Sequence, residues 1–150
     1  MITKKSFFTI NIFLIVTILL FSLSCKKEGE DDRIPYVPVN FTIYLSLPQY
    51  AGLNSVGGYE LISGYGYRGV IVYRRALEEY VAYDLACPYD PTATSAKLTV
   101  DSSGITMVDL NCGSKFGLTD GSILHGPSTR PMKSYQTSFD PGQNAVSVYN

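Results

Sequence analysis

The sequence predicts an all-β fold, and three observations carry that expectation. Its apolar residues fall in short runs that alternate with period two or are rich in β-branched and aromatic types, turn residues recur at close intervals between them, and helical periodicity is nearly absent. The first run, Phe41-Thr42-Ile43-Tyr44-Leu45-Ser46-Leu47, alternates strictly, so one face is expected to be buried and the other wet, and Pro48 ends it. Tyr59-Glu60-Leu61-Ile62 and Val70-Ile71-Val72-Tyr73-Arg74 flank the glycine-broken stretch Gly64-Tyr65-Gly66-Tyr67-Arg68-Gly69, which suggests a hairpin whose connection needs glycine torsions. Glu79 to Leu85 is a further strand. Lys97 to Val100, Thr106 to Leu110, Gly117-Leu118 with Ser122-Ile123-Leu124, Tyr135 to Phe139 and Ala145 to Tyr149 complete a series of about nine short strands. The segment Arg75 to Glu79 alone has some helical tendency, and it is too short to nucleate by itself.

Ahead of these strands lies a different kind of sequence. Lys4 and Lys5 precede an almost unbroken apolar run from Phe7 to Leu23, which ends in small residues before Cys25. A charged region, an apolar core and a cleavage region in that order are what an export signal requires. The core stretch Ile10 to Phe21 is short for a bilayer span, which takes about 20 apolar residues, although the whole run comes close. A retained single-pass anchor is therefore the alternative. The Leu23-Ser24-Cys25 register resembles that of bacterial lipoproteins, with Ser22 standing where a leucine is usual. The resemblance implies a signal peptide over residues 1–24 and lipidation of Cys25, with the protein held in the cell envelope as an outer membrane lipoprotein, periplasmic or surface-exposed. Several acyl chains on one cysteine hold a protein durably, since each buried methylene contributes about 0.8 kcal/mol. Residues 25–33, including Lys26-Lys27-Glu28-Gly29-Glu30-Asp31-Asp32, read as a charged flexible tether and look like the acidic export tags of Bacteroidota surface lipoproteins. A plain solvated linker is the other reading of the same charges.

Removing Lys4 and Lys5 with the signal leaves ten of the twelve basic residues against thirteen acidic ones, a net charge of about −3. Such a balance gives no electrostatic reason to bind nucleic acid. Residues 34–150 suffice for one domain with one core. That domain holds two cysteines, Cys87 and Cys112, and outside the inner membrane pairing is the default expectation for them.

The most informative constellation lies in two loops that follow strands. The first is Cys87-Pro88-Tyr89-Asp90 and the second is Asp109-Leu110-Asn111-Cys112-Gly113-Ser114-Lys115-Phe116, with Thr119-Asp120-Gly121-Ser122-Ile123-Leu124-His125-Gly126-Pro127-Ser128 after it. This pattern resembles the Rieske domain, in which a first loop offers Cys-x-His and a second offers Cys-x-x-His followed by Gly-Ser-x-Phe. The resemblance covers roughly Phe41 to Val148 and is most specific from Gly113 to Pro127. It implies an antiparallel sandwich or barrel with a small ligand-loop subdomain. Residue by residue, Cys87 matches the first cysteine ligand, Tyr89 the first histidine, Asp109 the second cysteine and Cys112 the second histidine.

Three of those four positions depart from the family, and chemistry gives the departure weight. A Rieske [2Fe-2S] cluster needs two thiolates on one iron and two imidazoles on the other. The chain has one histidine, His125, and the domain has two cysteines. No cofactor is therefore expected, with a [2Fe-2S] centre on atypical ligands as the alternative. If the loops approach each other as in the family, Cys87 and Cys112 face each other across the vacated cluster site, and a disulfide between them is the first reading. Two free thiols, or a mononuclear metal held by Cys87, Cys112 and Asp109 with Tyr89 or His125, are the others.

The remaining candidates are ordinary by comparison. His125 sits in a turn with no Ser-His-Asp or Cys-His pattern beside it, and Asp84, Asp90 and Asp109 read as turn aspartates, Asp90-Pro91 most plainly. The glycine run from Gly57 to Gly69 lacks the strand-to-helix context and lysine of a phosphate loop. Nine of the twelve tyrosines lie between Tyr36 and Tyr83, where half-buried strand positions suit them and sugar or protein recognition is the rival use. The expectation is a membrane-anchored binding or interaction module with a possible protein partner, no nucleic-acid partner and no catalytic residues. Its rival is a Rieske-type electron-transfer protein.

Overall fold

The computed structural model describes residues 34–150. The expected export signal, Cys25 and the charged tether lie outside the described residues.

Ten antiparallel strands form two sheets among the described residues. The larger sheet contains β1 (Asn40–Tyr44), β2 (Tyr59–Ile62), β3 (Val70–Ala76), β4 (Glu79–Asp84), β9 (Ser134–Asp140) and β10 (Ala145–Tyr149), in the order β1-β10-β9-β4-β3-β2. The smaller sheet runs in chain order through β5 (Leu98–Val100), β6 (Thr106–Asp109), β7 (Lys115–Gly117) and β8 (Ile123–His125). All four of its strands fall between β4 and β9 in sequence, so the small sheet is one insertion into the large one. This two-part, all-β layout is the one the Rieske resemblance implied.

Each expected strand is present, and the differences are local. The expected pairing of Gly117-Leu118 with Ser122-Ile123-Leu124 resolves into two strands, β7 and β8, joined by a turn. Arg75 to Glu79 is not helical: Arg75 and Ala76 end β3, Glu79 starts β4, and a tight turn with a register shift joins them. Tertiary pairing outweighs a weak local propensity there. Two short 3-10 turns, broken at Tyr50, do occur over Pro48–Asn54, where proline at the start fixes a helical φ and Leu53 is fully buried.

The alternation of β3 explains how two sheets share one protein. Val70 and Val72 point into a core with Ile43, Leu53, Ala82, Val146 and Val148, whereas Ile71 and Tyr73 point into a second core with Leu85, Leu98, Met107 and Phe116. A strand covered on both faces reads as the continuous apolar run Val70 to Tyr73 instead of alternating. Each such Val or Ile side chain contributes about 1.5 to 3 kcal/mol relative to an exposed one. The second core includes Cys87 and packs against Cys112, so the candidate site is part of the small sheet's hydrophobic interior.

Candidate functional site

The first loop is launched by β4 and held at both ends. Beyond Asp84 the chain pairs with β5, Leu98 N donating to Leu85 O over 2.7 Å and Cys87 N to Ala96 O over 3.2 Å. These bonds bury Cys87 completely. Asp90 closes the following turn by accepting from Ala93 N and Thr92 Oγ1, as its place before Pro91 suggested. The Arg68 guanidinium then donates to the carbonyls of Pro91, Thr92, Ala93 and Thr94, clamping the loop from outside.

The second loop follows β6 and folds around Asp109. Asp109 is buried, and its Oδ1 accepts from Asn111 N at 2.8 Å and Cys112 N at 3.4 Å. Backbone bonds from Asp109 N to Ser114 O and from Gly113 N to Asp109 O complete the turn. Gly113 has φ 81, which a residue with a Cβ adopts only at a cost, and that torsion carries the chain back to β7. Ser114 is fully buried and ties this loop to the next: its Oγ accepts from Ser128 N at 3.0 Å and from the Cys112 thiol at 3.1 Å.

The two loops meet at sulfur. Cys87 Sγ and Cys112 Sγ are 3.8 Å apart, and a carboxylate oxygen of Asp109 completes a group whose donor atoms all lie within 4.8 Å of one another. The approach expected from the resemblance is present, but the structure has two thiols there and not the expected S–S bond. Burial pushes the Cys87 thiol well above its ordinary pKa, with hydrogen bonding to Asp109 adding to the shift and the Tyr89 amide opposing it. Cys112 is half-buried and is the more accessible of the pair.

The other matched position does not converge. The Tyr89 side chain is half exposed, and beside it a cleft of about 370 Å³ is lined by Pro88, Tyr89, Asp90, Pro127, Thr129 and Arg130. His125 is exposed on β8, opposite Lys115, and is not among the gathered donors. Among the described residues the centre thus offers two thiols and one carboxylate, whereas a two-iron cluster takes four cysteines, or two cysteines and two histidines.

Sequence reasoning read Asp84 as a turn residue, and the structure gives it a larger part. It is fully buried and accepts from Tyr67 N, Arg68 N, Ala86 N and the Tyr135 hydroxyl. No local signal gives that role away, because both faces of the strand are apolar: Tyr80 and Ala82 share a face with Asp84, and Val81, Tyr83 and Leu85 lie on the other. Ser114, within the Gly113-Ser114-Lys115-Phe116 stretch, carries no local sign of a role, and its burial between two loops supplies one.

The chain is similar to several solved structures, one of them a Rieske protein. It shares 19% identity with the cyanobacterial plasma membrane Rieske protein PetC3 from Synechocystis PCC 6803, at a TM-score of 0.48 over 75% of this chain and 98% of that one. A chain from the complex of reduced oxygenase and oxidized ferredoxin in carbazole 1,9a-dioxygenase matches at 22% identity and a TM-score of 0.44, covering 62% of this chain and 81% of that one. A protein described as the small subunit of an NADH-dependent nitrite reductase from Mycobacterium tuberculosis matches at 17% identity and a TM-score of 0.44, covering 77% and 97%. No family model and no curated protein matches the sequence.

Proposed function

We propose that the protein is a lipid-anchored, non-redox interaction module of the bacterial cell envelope, built on a Rieske-like domain whose cluster ligands have been replaced. The observation that carries this reading is the 3.8 Å contact between Cys87 Sγ and Cys112 Sγ. In the resemblance these positions match ligands of two different irons, cysteine on one and histidine on the other. Two sulfurs this close cannot ligate opposite irons of a binuclear cluster, which supports the reading. The other two matched positions agree: Tyr89 is turned to the surface, and one oxygen of Asp109 is engaged by its own loop's amides.

In an oxidising compartment the pair closes into a disulfide, which shortens the sulfur separation from 3.8 Å to about 2.05 Å. The bond then ties together the loops that a cluster joins in the family. Tyr89 and Leu110, exposed on those two loops, are the apolar surface this reading assigns to a protein partner. Cys25 attaches the domain to the membrane, and metabolic labelling with a radioactive fatty acid is expected to mark the wild type and not a Cys25→Ala variant.

Iron, acid-labile sulfide and visible absorption, measured on the full chain purified natively without chelator, test the central claim. A colourless protein without iron and sulfide is the expected result. Stoichiometric iron and sulfide with visible bands overturn it and restore electron transfer by a [2Fe-2S] centre on atypical ligands.

A further inference from the structure

The geometry points to a mononuclear site for a thiophilic divalent cation of the zinc class, formed by Cys87, Cys112 and Asp109 when the cysteines are reduced. Two thiolates on one tetrahedral ion, each bonded at about 2.3 Å, stand about 3.8 Å apart, and the two sulfurs here are 3.8 Å apart. A carboxylate oxygen at about 2.1 Å from the same ion stands about 3.6 Å from each sulfur, and the Asp109 oxygen lies within 4.8 Å of both. A separation too short for ligands of opposite irons is therefore right for ligands of one ion.

The surroundings of Asp109 support this use. Its Oδ1 is fixed by two amides of its own loop, which orients the carboxylate beside the two sulfurs. Two sulfurs select a soft or borderline cation over magnesium or calcium. Three protein donors leave a fourth position for water, and the partial exposure of Cys112 provides the way in. Binding exchanges the two thiol protons for the ion and changes no oxidation state. Oxidation to the disulfide removes both thiolates, so the two forms exclude each other.

Cobalt is the probe of choice, because thiolate coordination gives it a charge-transfer band and a tetrahedral visible spectrum. The full chain is reduced, transferred to oxygen-free buffer and titrated with Co2+, then with Zn2+. The expected result is one cobalt per chain, a charge-transfer band that zinc abolishes, loss of the band in Cys112→Ser, and no band from the oxidised protein. Asp109→Asn keeps an oxygen to accept the loop amides while removing a ligand, and is expected to bind cobalt more weakly with a changed visible spectrum. No band from a protein whose Cys87 and Cys112 are both alkylated in a parallel sample overturns the site. Wild-type affinity and spectrum in Asp109→Asn overturn the role of Asp109. The inference shares with the proposed function the absence of a two-iron cluster, and the two fail separately: iron with sulfide removes both, whereas a missing cobalt band removes this one alone.

Discussion

The Tyr135 hydroxyl donates to Oδ2 of Asp84 over 2.7 Å, so a tyrosine on β9 satisfies a fully buried carboxylate at the end of β4. Asp84 accepts three more bonds, from the amides of Tyr67, Arg68 and Ala86. One side chain thus joins the glycine-broken connection before β3, the two central strands of the large sheet, and the start of the first site loop. A hydrogen bond to a charged acceptor is worth about 1.5 to 3 kcal/mol. Tyr135→Phe removes that bond with little change of shape, and a loss of that size is expected in urea unfolding at unchanged denaturant slope. A loss within about 0.5 kcal/mol would show that the amides alone satisfy Asp84.

The same neighbourhood explains one glycine. Gly66 has φ 69, and a Cβ there would stand 2.7 Å from Asp84 Oδ2 and 2.9 Å from the Tyr135 hydroxyl. Gly66→Ala therefore meets both an unfavourable torsion and the buried hydrogen bond. It is expected to destabilise by about 2 kcal/mol or more, whereas Gly64→Ala, also at positive φ but with open space around it, is expected to cost about 1 kcal/mol. Paired melting curves of the two variants check the order, and a reversed order would mean the contact relaxes freely.

Alkaline pH is the second route to the core. Burial, reinforced by Asp120, raises Tyr83 to about 12, and burial with the Asp84 carboxylate raises Tyr135 further still. The unfolded chain releases a phenolic proton near pH 10, while the folded chain retains these two. Their contribution is thus fully present below pH 10 and falls above it, at up to about 1.4 kcal/mol per pH unit for each group, with that of Tyr83 lost by about pH 12 and that of Tyr135 still falling there. Stability measured from pH 9 to 12 is expected to fall steeply, and Tyr83→Phe to flatten that fall. An unchanged slope in the variant would mean that Tyr83 ionises normally.

What the sequence made legible follows from how local each feature is. Strand positions were readable because alternation and β-branching are properties of a few consecutive residues, as in Phe41 to Leu47 and Val70 to Tyr73. The meeting of Cys87 and Cys112 was readable only through the loop motif, since nothing local links residues 25 apart. Asp84 was misread because a buried carboxylate becomes intelligible only with its partners, and Tyr135 lies 51 residues away. The failed helical tendency of Arg75 to Glu79 is the same lesson in reverse: the Arg75 and Glu79 side chains do form an i,i+4 ion pair, but across a β-turn.

Arg68 shows how the first loop is held in place. Its guanidinium reaches four carbonyls of residues 91–94, a forked pattern that a lysine ammonium cannot reproduce. Arg68→Lys is expected to loosen that loop while leaving the sheets intact. Faster amide exchange and proteolytic nicking confined to residues 88–96 are the readout, and protection equal to wild type there would mean Asp90 holds the loop unaided.

The last prediction concerns the sulfur pair. A bond between residues 25 apart restricts the unfolded chain by about 3.5 kcal/mol in the chain-entropy model. The oxidised protein is therefore expected to be more stable than the reduced one by about 3.5 kcal/mol. In Cys112→Ser the difference between oxidising and reducing conditions vanishes. Equal denaturation midpoints for wild type in both conditions, with peptide mass showing both thiols free throughout, would mean the pair persists as a dithiol and that the loops are held by Ser114, Asp109 and Arg68 alone.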